Sequence, residues 1–373
     1  MNKTIPSWTY KYDLEKNRSQ YLEIINKVFN SGRLLFGEEL EKFEIEFSDY
    51  IGSKYGIGCD NATNGIFLSL KALGVGNNDH VVTVPNTAIP TVSAIRQAGA
   101  IPVFIDVNQH GLLDVEKLEN FLNHNFKKIK VIIPVHLYGF PCDMEKICKL
   151  AKDYKLKIIE DCSQSHGTTL NNKKVGSFGD LSVFSFYPTK SLGGYGDAGM
   201  ICTGIEEYYL KLRKLRFYGI ESNYSADIDG YNSRMDEIHA GILRYKLKYL
   251  DNNVRQRKKI VEFYKANIKS EILNLLQPPS GNVISNYLVP FIFKGDRDKF
   301  QEHLLSDGLY TNVSYRYPIH LMPAYSDLGY KKNDFPNAEF LCKSNISLPI
   351  FDYMPVDIVH KVVEIVNRNL KNI

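Results

Sequence analysis

Lys190 stands where an apolar run gives way to a glycine-rich loop. Leu181-Ser-Val-Phe-Ser-Phe186 reads as a short buried strand, Pro188 ends it, and Gly193, Gly194 and Gly196 let backbone come close to a ligand. An amine held there is partly desolvated, which lowers its pKa toward the range in which it attacks a carbonyl carbon. Taken alone, one of 46 Lys and Arg residues is most simply a solvated surface charge. Other positions change that reading. Asp161 ends the run Lys157-Ile-Ile-Glu-Asp161, Ser185 sits in the strand that leads to Lys190, and Ala62-Thr63-Asn64 follow another strand and open a helix. Each has a structural role open to it: Asp161 in a turn, Thr63 as a cap, Ser185 as a strand hydroxyl.

The elements that must position these groups come from the alternation between Lys54 and about Gly204. Strand candidates are Tyr55 to Cys59, Val81 to Val84, Pro102 to Val107, Lys130 to Val135, Lys157 to Ile159, Leu181 to Phe186 and Met200 to Cys202. Short β-branched runs with helices between them imply an α/β fold with a seven-stranded, mostly parallel sheet covered on both faces. Asp143 caps a helix over Met144 to Tyr154, and Gly74 closes the one that starts near Ala62. Met235 to Ile268 reads as one long helix or two joined ones leading out of the large domain. Beyond it Tyr287 to Phe293, a helix from Asp296 to Leu305, and Tyr310 to Tyr315 suggest a β-α-β element of a smaller α+β domain. The expected division is a large domain over 1–245, with an N-terminal arm, and a C-terminal α+β domain over 246–373.

In open parallel sheets ligands sit beyond the carboxyl ends of the strands. A helix start there offers free N–H groups and the positive end of its dipole to an anion such as phosphate. A carbonyl-capturing lysine, a carboxylate and a phosphate cradle together are what pyridoxal phosphate needs. Its ring nitrogen must stay protonated for the ring to act as an electron sink, and a buried aspartate favours that state. A dinucleotide fold does not fit, because Gly193-Gly-Tyr-Gly196 follows the lysine and no GxGxxG lies between a strand and a helix.

Composition narrows the field. The 373 residues, 44% of them hydrophobic, can bury a sizeable core. A net charge of +4 spread over the chain gives no reason to expect nucleic acid as a partner. No apolar run approaches the roughly 18 residues of a membrane span, and the segment from Met1 to Lys11 is polar rather than signal-like, so a cytoplasmic protein is expected. The six cysteines are scattered without a CxxC pair and read as reduced thiols, with no metal site or disulfide framework expected.

Several motifs then agree with one another. Glu160-Asp-Cys-Ser-Gln-Ser-His-Gly167, Gly176-Ser-Phe-Gly-Asp180, Ser185-Phe-Tyr-Pro-Thr-Lys190, Gly196-Asp-Ala-Gly199 and Gly230-Tyr-Asn-Ser-Arg-Met-Asp-Glu237 resemble successive motifs of the DegT/DnrJ/StrS nucleotide-sugar aminotransferases, a group of fold-type-I pyridoxal-phosphate enzymes. Phe36 to Phe43, Pro134 to Gly139, Pro318 to Leu321, Pro323 to Tyr325 and Ser347 to Pro349 extend the resemblance over nearly the whole chain.

The resemblance implies that Lys190 forms the Schiff base with the cofactor and moves the proton. It implies that Asp161 pairs with the pyridinium nitrogen and that Gln164 lies against the ring near its phenolic oxygen. Ser185 and the Ala62 and Thr63 amides would hold the phosphate. Asn232 would reach the phosphate of the neighbouring subunit, which implies a homodimer with shared active sites. His320 matches a position near the sugar-nucleotide cleft, or is structural. Two departures stand out: Ala62-Thr63 replaces the usual Gly-Thr, and Thr87-Ala88 replaces a Thr-aromatic pair whose ring stacks on the cofactor. A related branch of dehydratases has histidine in place of the lysine, so Lys190 favours aminotransfer. The expected reaction carries nitrogen from glutamate, by way of pyridoxamine phosphate, to a nucleotide-linked keto sugar. The expected sugar is a dTDP-3-keto-6-deoxyhexose, used to make amino sugars of surface glycans. A 4-keto sugar, a UDP or GDP carrier or a keto-cyclitol is the alternative. The other readings are a different pyridoxal-phosphate chemistry, such as elimination, or a regulatory relative without turnover.

Overall fold

The computed structural model describes residues 4–371. Two helices, α1 (Lys11–Ser31) and α2 (Glu38–Ile51), precede the first strand. Seven strands then form one sheet: β1 (Tyr55–Cys59), β2 (His80–Thr83), β3 (Ile101–Phe104), β4 (Ile129–Ile132), β5 (Lys157–Asp161), β6 (Leu181–Ser185) and β7 (Gly199–Thr203). Their spatial order is β1-β7-β6-β5-β4-β2-β3, and β7 alone runs antiparallel to its neighbours. All seven expected strands are present, with ends shifted by up to three residues.

Alternation explains why the strands are apolar on both sides. Val82, Ile132 and Ile158 join one hydrophobic cluster, while their chain neighbours Val81, Val131 and Ile159 join the cluster on the opposite face. The helices between the strands cover those faces: α3 (Ala62–Ala72), α4 (Ile89–Gln97), α5 (Val115–Asn125), α6 (Met144–Asp153) and α7 (Glu206–Leu215). Helix α6 begins where the Asp143 carboxylate accepts the Lys146 N–H, and it buries Met144, Ile147, Leu150 and Ala151. Helix α3 is closed by Gly74 at φ +73, a left-handed turn that suits glycine.

The stretch from Met235 to Ile268 is two helices, α8 (Glu237–Leu247) and α9 (Leu250–Asn267). A second sheet follows, in the order β8 (Leu273–Leu275), β9 (Val289–Phe293), β10 (Asn345–Leu348), with α10 (Arg297–Ser306), α11 (Pro336–Ser344) and α12 (Val356–Leu370) around it. Tyr310 to Tyr315 is not a strand. Its backbone pairing stops at an isolated antiparallel bridge between Asn312 and Ser347 and a Tyr310 N–H bond to Ile5 O at 2.9 Å, and side chains take other groups: Gln301 donates to Thr311 O at 3.3 Å, and Asn345 Oδ1 accepts the Ser314 N–H at 3.1 Å. The strands that flank β9 are β8 and β10, neither of which the sequence displayed.

The hydrophobic clusters do not follow the chain in order. Ile5 packs with Tyr264, Phe291, Phe300 and Val362 in the C-terminal cluster. Ile319, Phe335 and Leu341 pack instead under the large sheet. No helix among the described residues is long and apolar enough to cross a membrane.

Candidate active site

Strand register brings the chemical groups to one edge. Gly199, the first residue of antiparallel β7, pairs with Cys59 at the end of β1 and with Ser185 at the end of β6. Asp161 ends β5, next in the sheet. The edge opens onto a cavity of about 580 Å³ lined by Ala62, Thr63, Asp161, Gln164, Ser185 and Lys190, among others. Six site residues expected from sequence therefore meet in one space. Its volume suits a cofactor-sized ligand.

The start of α3 is built to hold an anion. Asn61 caps the helix, its Oδ1 accepting the Asn64 N–H at 2.9 Å, and its carbonyl takes the Gly65 N–H at 2.9 Å. The N–H groups of Ala62 and Thr63, first in the helix, have no acceptor within it, and both residues line the cavity. A Cβ at Gly199 would lie 2.7 Å from Asn61 C and 2.9 Å from Ala62 N, so glycine is what lets β7 and this turn touch. Ser185 Oγ accepts the Tyr187 N–H at 3.3 Å, which leaves its own proton available.

Asp161 is 4% exposed and held at both oxygens. Oδ1 accepts the Ser163 N–H at 3.1 Å, and Oδ2 accepts the Thr91 hydroxyl at 2.8 Å. Thr91 has given its proton to Asp161, so Thr87, 3.2 Å away, donates to Thr91. A carboxylate has about four lone-pair sites, so Asp161 retains capacity for a further donor such as a protonated ring nitrogen. Gln164 is fixed at both ends: Oε1 accepts the Tyr138 N–H at 2.7 Å and Nε2 donates to Tyr315 Oη at 3.0 Å. Burial, with Tyr287 and Asp161 nearby, pushes the Tyr315 phenol well up, so it stays neutral.

Lys190 Nζ lies 4.4 Å from the centroid of the Tyr287 ring, whose Oη is 3.1 Å from Thr189 Oγ1. Behind Ser185, His166 is buried between Phe184 and Phe186, and burial, then the Lys190 charge, lowers its pKa to about 3. It is a neutral packing group.

His136, Glu160 and Cys162 gather beside Asp161, all buried. The lone pairs of His136 and Glu160 are already used. Cys142 N–H donates to His136 Nδ1 at 3.0 Å, so Nε2 carries the ring proton and donates to Glu160 Oε2 at 3.1 Å. Glu160 also accepts the N–H groups of Gly176, Phe178 and Gly179 at 2.8, 2.7 and 2.8 Å. Burial alone raises a carboxyl pKa, but His136 and these amides outweigh it and hold Glu160 below its ordinary value. The cluster is a hydrogen-bonded hub, because an imidazole that ligates a metal must turn a free lone pair to it.

Two expected residues lie elsewhere in this chain. Asn232 is exposed, on a segment bridged to Phe217, outside the cavity. Its loop is tied to the start of α3 by Ser233, which donates to Asp60 at 2.5 Å, while Asp60 accepts from Asn64 at 2.7 Å. His320 is 2% exposed and does not line the cavity; Nε2 sits 3.1 Å from Glu339 Oε1 and the ring meets Phe335 edge-on. Burial lowers its pKa against the pull of Glu339. Thr91, Tyr287 and Tyr315 carry contacts the sequence did not reveal. For Thr91 the usable signal was its four-residue spacing from Thr87 across a strand-to-helix turn; for the tyrosines there was none.

A lysine, a buried carboxylate and an open helix start at the carboxyl edge of this sheet define a fold-type-I transferase of the pyridoxal-phosphate kind. The chain belongs to the DegT/DnrJ/EryC1/StrS aminotransferase family, which it matches over residues 15–367. It is 39% identical over 369 residues to the dTDP-3-amino-3,4,6-trideoxy-alpha-D-glucose transaminase of Micromonospora megalomicea subsp. nigra, covering 97% of each chain. It is 38% identical over 348 residues to the dTDP-3-amino-3,6-dideoxy-alpha-D-galactopyranose transaminase of Aneurinibacillus thermoaerophilus, covering 93% of this chain and 94% of that one. Among solved structures, S. venezuelae DesV in complex with a ketimine intermediate superposes with a TM-score of 0.95 at 31% identity over 100% of both chains.

Proposed function

We propose that this sugar aminotransferase uses pyridoxal 5′-phosphate to move an amino group from glutamate to C-3 of a dTDP-linked 3-keto-6-deoxyhexose. The observation that carries the chemistry is the single cavity shared by Lys190, Asp161 and the first turn of α3. The residues fit the cofactor, since unsatisfied N–H groups, a carboxylate with spare acceptor capacity and an amine are what it requires. When bound, it supplies an aldehyde for the amine and a ring that accepts electrons from the substrate carbon.

Lys190 Nζ would hold the cofactor through its aldehyde carbon and, once displaced by the incoming amine, would move a proton between the substrate carbon and the cofactor carbon, a transfer of the kind that contributes about 10² to 10⁴-fold to rate. Asp161 keeps the ring nitrogen protonated, and Thr91 and the Ser163 N–H keep Asp161 in place. The amides of Ala62 and Thr63 and the Ser185 hydroxyl hold the phosphate. Gln164, anchored by Tyr138 and Tyr315, flanks the ring. In a homodimer, Asn232 of each subunit completes the phosphate site of the other. With Ala88 at the position where the motif resemblance implies an aromatic ring, the cavity wall carries only a methyl group there.

The C-3 assignment is supported by the names of both relatives, each of which specifies a dTDP-linked 3-amino sugar. The test is a panel of dTDP- and UDP-linked 3-keto and 4-keto sugars with glutamate, read by mass spectrometry. An amino product from the dTDP-3-keto member is expected. Product from 4-keto members alone overturns the position, and no product from any member overturns the substrate class. Borohydride reduction followed by peptide mapping tests the cofactor site separately, with the label expected on Lys190.

A further inference from the structure

Five residues beyond Lys190 the chain is pinned by a buried charge from the other end of the sequence. Asp13, on α1, is 6% exposed and accepts four side-chain groups. Its oxygens take Asn17 Nδ2 at 3.0 Å, Tyr21 Oη at 3.0 Å, Tyr195 Oη at 2.8 Å and Lys246 Nζ at 3.1 Å. Tyr195 belongs to the glycine loop after Lys190. Lys246, on α8, also donates to Gly193 O in that loop at 2.7 Å. The rings of Tyr10 and Tyr21 meet Tyr195 edge-on at 5.8 and 5.3 Å. Burial, then Asp13, pushes the phenols of Tyr21 and Tyr195 well above their ordinary pKa, so both remain donors.

The inner side of the loop is equally confined. Lys190 N–H donates to Tyr187 O at 2.9 Å, and Gly194 N–H donates to Phe186 O at 2.8 Å. A Cβ at Gly193 would fall 2.3 Å from Pro188 O and 3.0 Å from Lys190 O. The backbone at Lys190 therefore packs directly against a residue whose carbonyl Lys246 holds. None of Asp13, Tyr195 or Lys246 lines the cavity.

We propose that Asp13 and Lys246 are positioning residues for Lys190, with α1 and α8 clamping the loop that aims its amine at the cofactor aldehyde. A buried ion pair that also fixes a backbone carbonyl contributes orientation more than net stability. The proposal rests on Lys190 being the cofactor lysine. It differs from a structural role in one respect: loss of the pair should weaken capture of pyridoxal phosphate, beyond any general loss of stability.

The experiment titrates apo-protein with pyridoxal phosphate by absorbance and measures melting with and without it, for wild type, Asp13→Asn, Lys246→Met, the double variant and Tyr195→Phe. The single variants D13N and K246M are expected to raise the cofactor Kd about tenfold or more and to shrink the melting increment that the cofactor confers. The double variant should be little worse than either single one, because each already breaks the pair. Tyr195→Phe removes one hydroxyl and keeps the ring, so it remains informative if the charge variants do not fold; a rise of about threefold is expected. Unchanged Kd, with apo and loaded melting falling together, overturns the proposal and leaves the network structural. Wild-type borohydride label on a residue other than Lys190 overturns the underlying reading instead.

Discussion

Glu160→Gln tests how the chain holds the strand end that carries Asp161, since Glu160 precedes Asp161 and is fully buried. Oε1 accepts the N–H groups of Phe178 and Gly179, and Oε2 accepts Gly176 N–H and His136 Nε2–H. A glutamine amide offers one acceptor oxygen, so in either orientation its NH₂ faces two donors. Two charge-assisted hydrogen bonds are lost and their partners stay buried. Such bonds contribute about 1.5–3 kcal/mol each, and breaking a buried pair costs about 3–5 kcal/mol, so a loss of about 3–5 kcal/mol near neutral pH is expected. The pH dependence has a definite sign. Because the folded-state pKa of Glu160 is depressed, its contribution is present above the unfolded value of about 4.3 and fades as pH falls through the lower folded value. The gap between wild type and variant should therefore narrow below about pH 4. Urea denaturation across a pH series reads both effects. A variant within about 1 kcal/mol of wild type at neutral pH, or a gap that widens on acidification, refutes the argument that an ionised Glu160 organises this corner.

The other substitutions probe the cavity itself. Gly199→Ala puts a methyl group within 3 Å of Asn61 and Ala62 backbone, so it should cost about 1–3 kcal/mol by overpacking and weaken pyridoxal-phosphate binding; equal affinity in a titration would show that the first turn of α3 is not the phosphate cradle. Thr91→Val removes the donor to Asp161 Oδ2, about 1.5–3 kcal/mol by chemical denaturation, while Thr91→Ser should recover most of it; no difference between the two variants would sink that hydrogen bond as the cause. Lys190→Ala should keep the fold by circular dichroism, lose the borohydride-stable label and lower turnover by at least about 10²-fold. Retained label in that variant would remove the lysine from its assigned role.

The sheet was legible because its strands are buried on both faces and read as continuous β-branched runs between helices. Lys190, Asp161, Ser185 and the Ala62–Thr63 turn were legible for a related reason: each lies where such a run ends, and parallel topology sends those ends to one edge. What escaped were groups whose partners are fixed by tertiary closure. Tyr287 and Tyr315 reach Lys190 and Gln164 from 97 and 151 positions away in the chain, and nothing local in either sequence segment marks that contact. The expected strand at Tyr310 to Tyr315 failed because local alternation cannot show that pairing would stop at a single bridge, Asn312 to Ser347, with Gln301 and Asn345 side chains taking the groups of Thr311 and Ser314. Motif order carried some of this information without its cause. Glu237 ends the Gly230 segment and accepts the N–H groups of Gly37, Glu39 and Leu40 at 2.8, 2.9 and 3.1 Å, joining it to the Phe36 motif as the cap of α2. The same logic binds Asp13 to Tyr195: a residue on the first helix and one in the lysine loop share a buried charge, and only the folded chain shows why both are there.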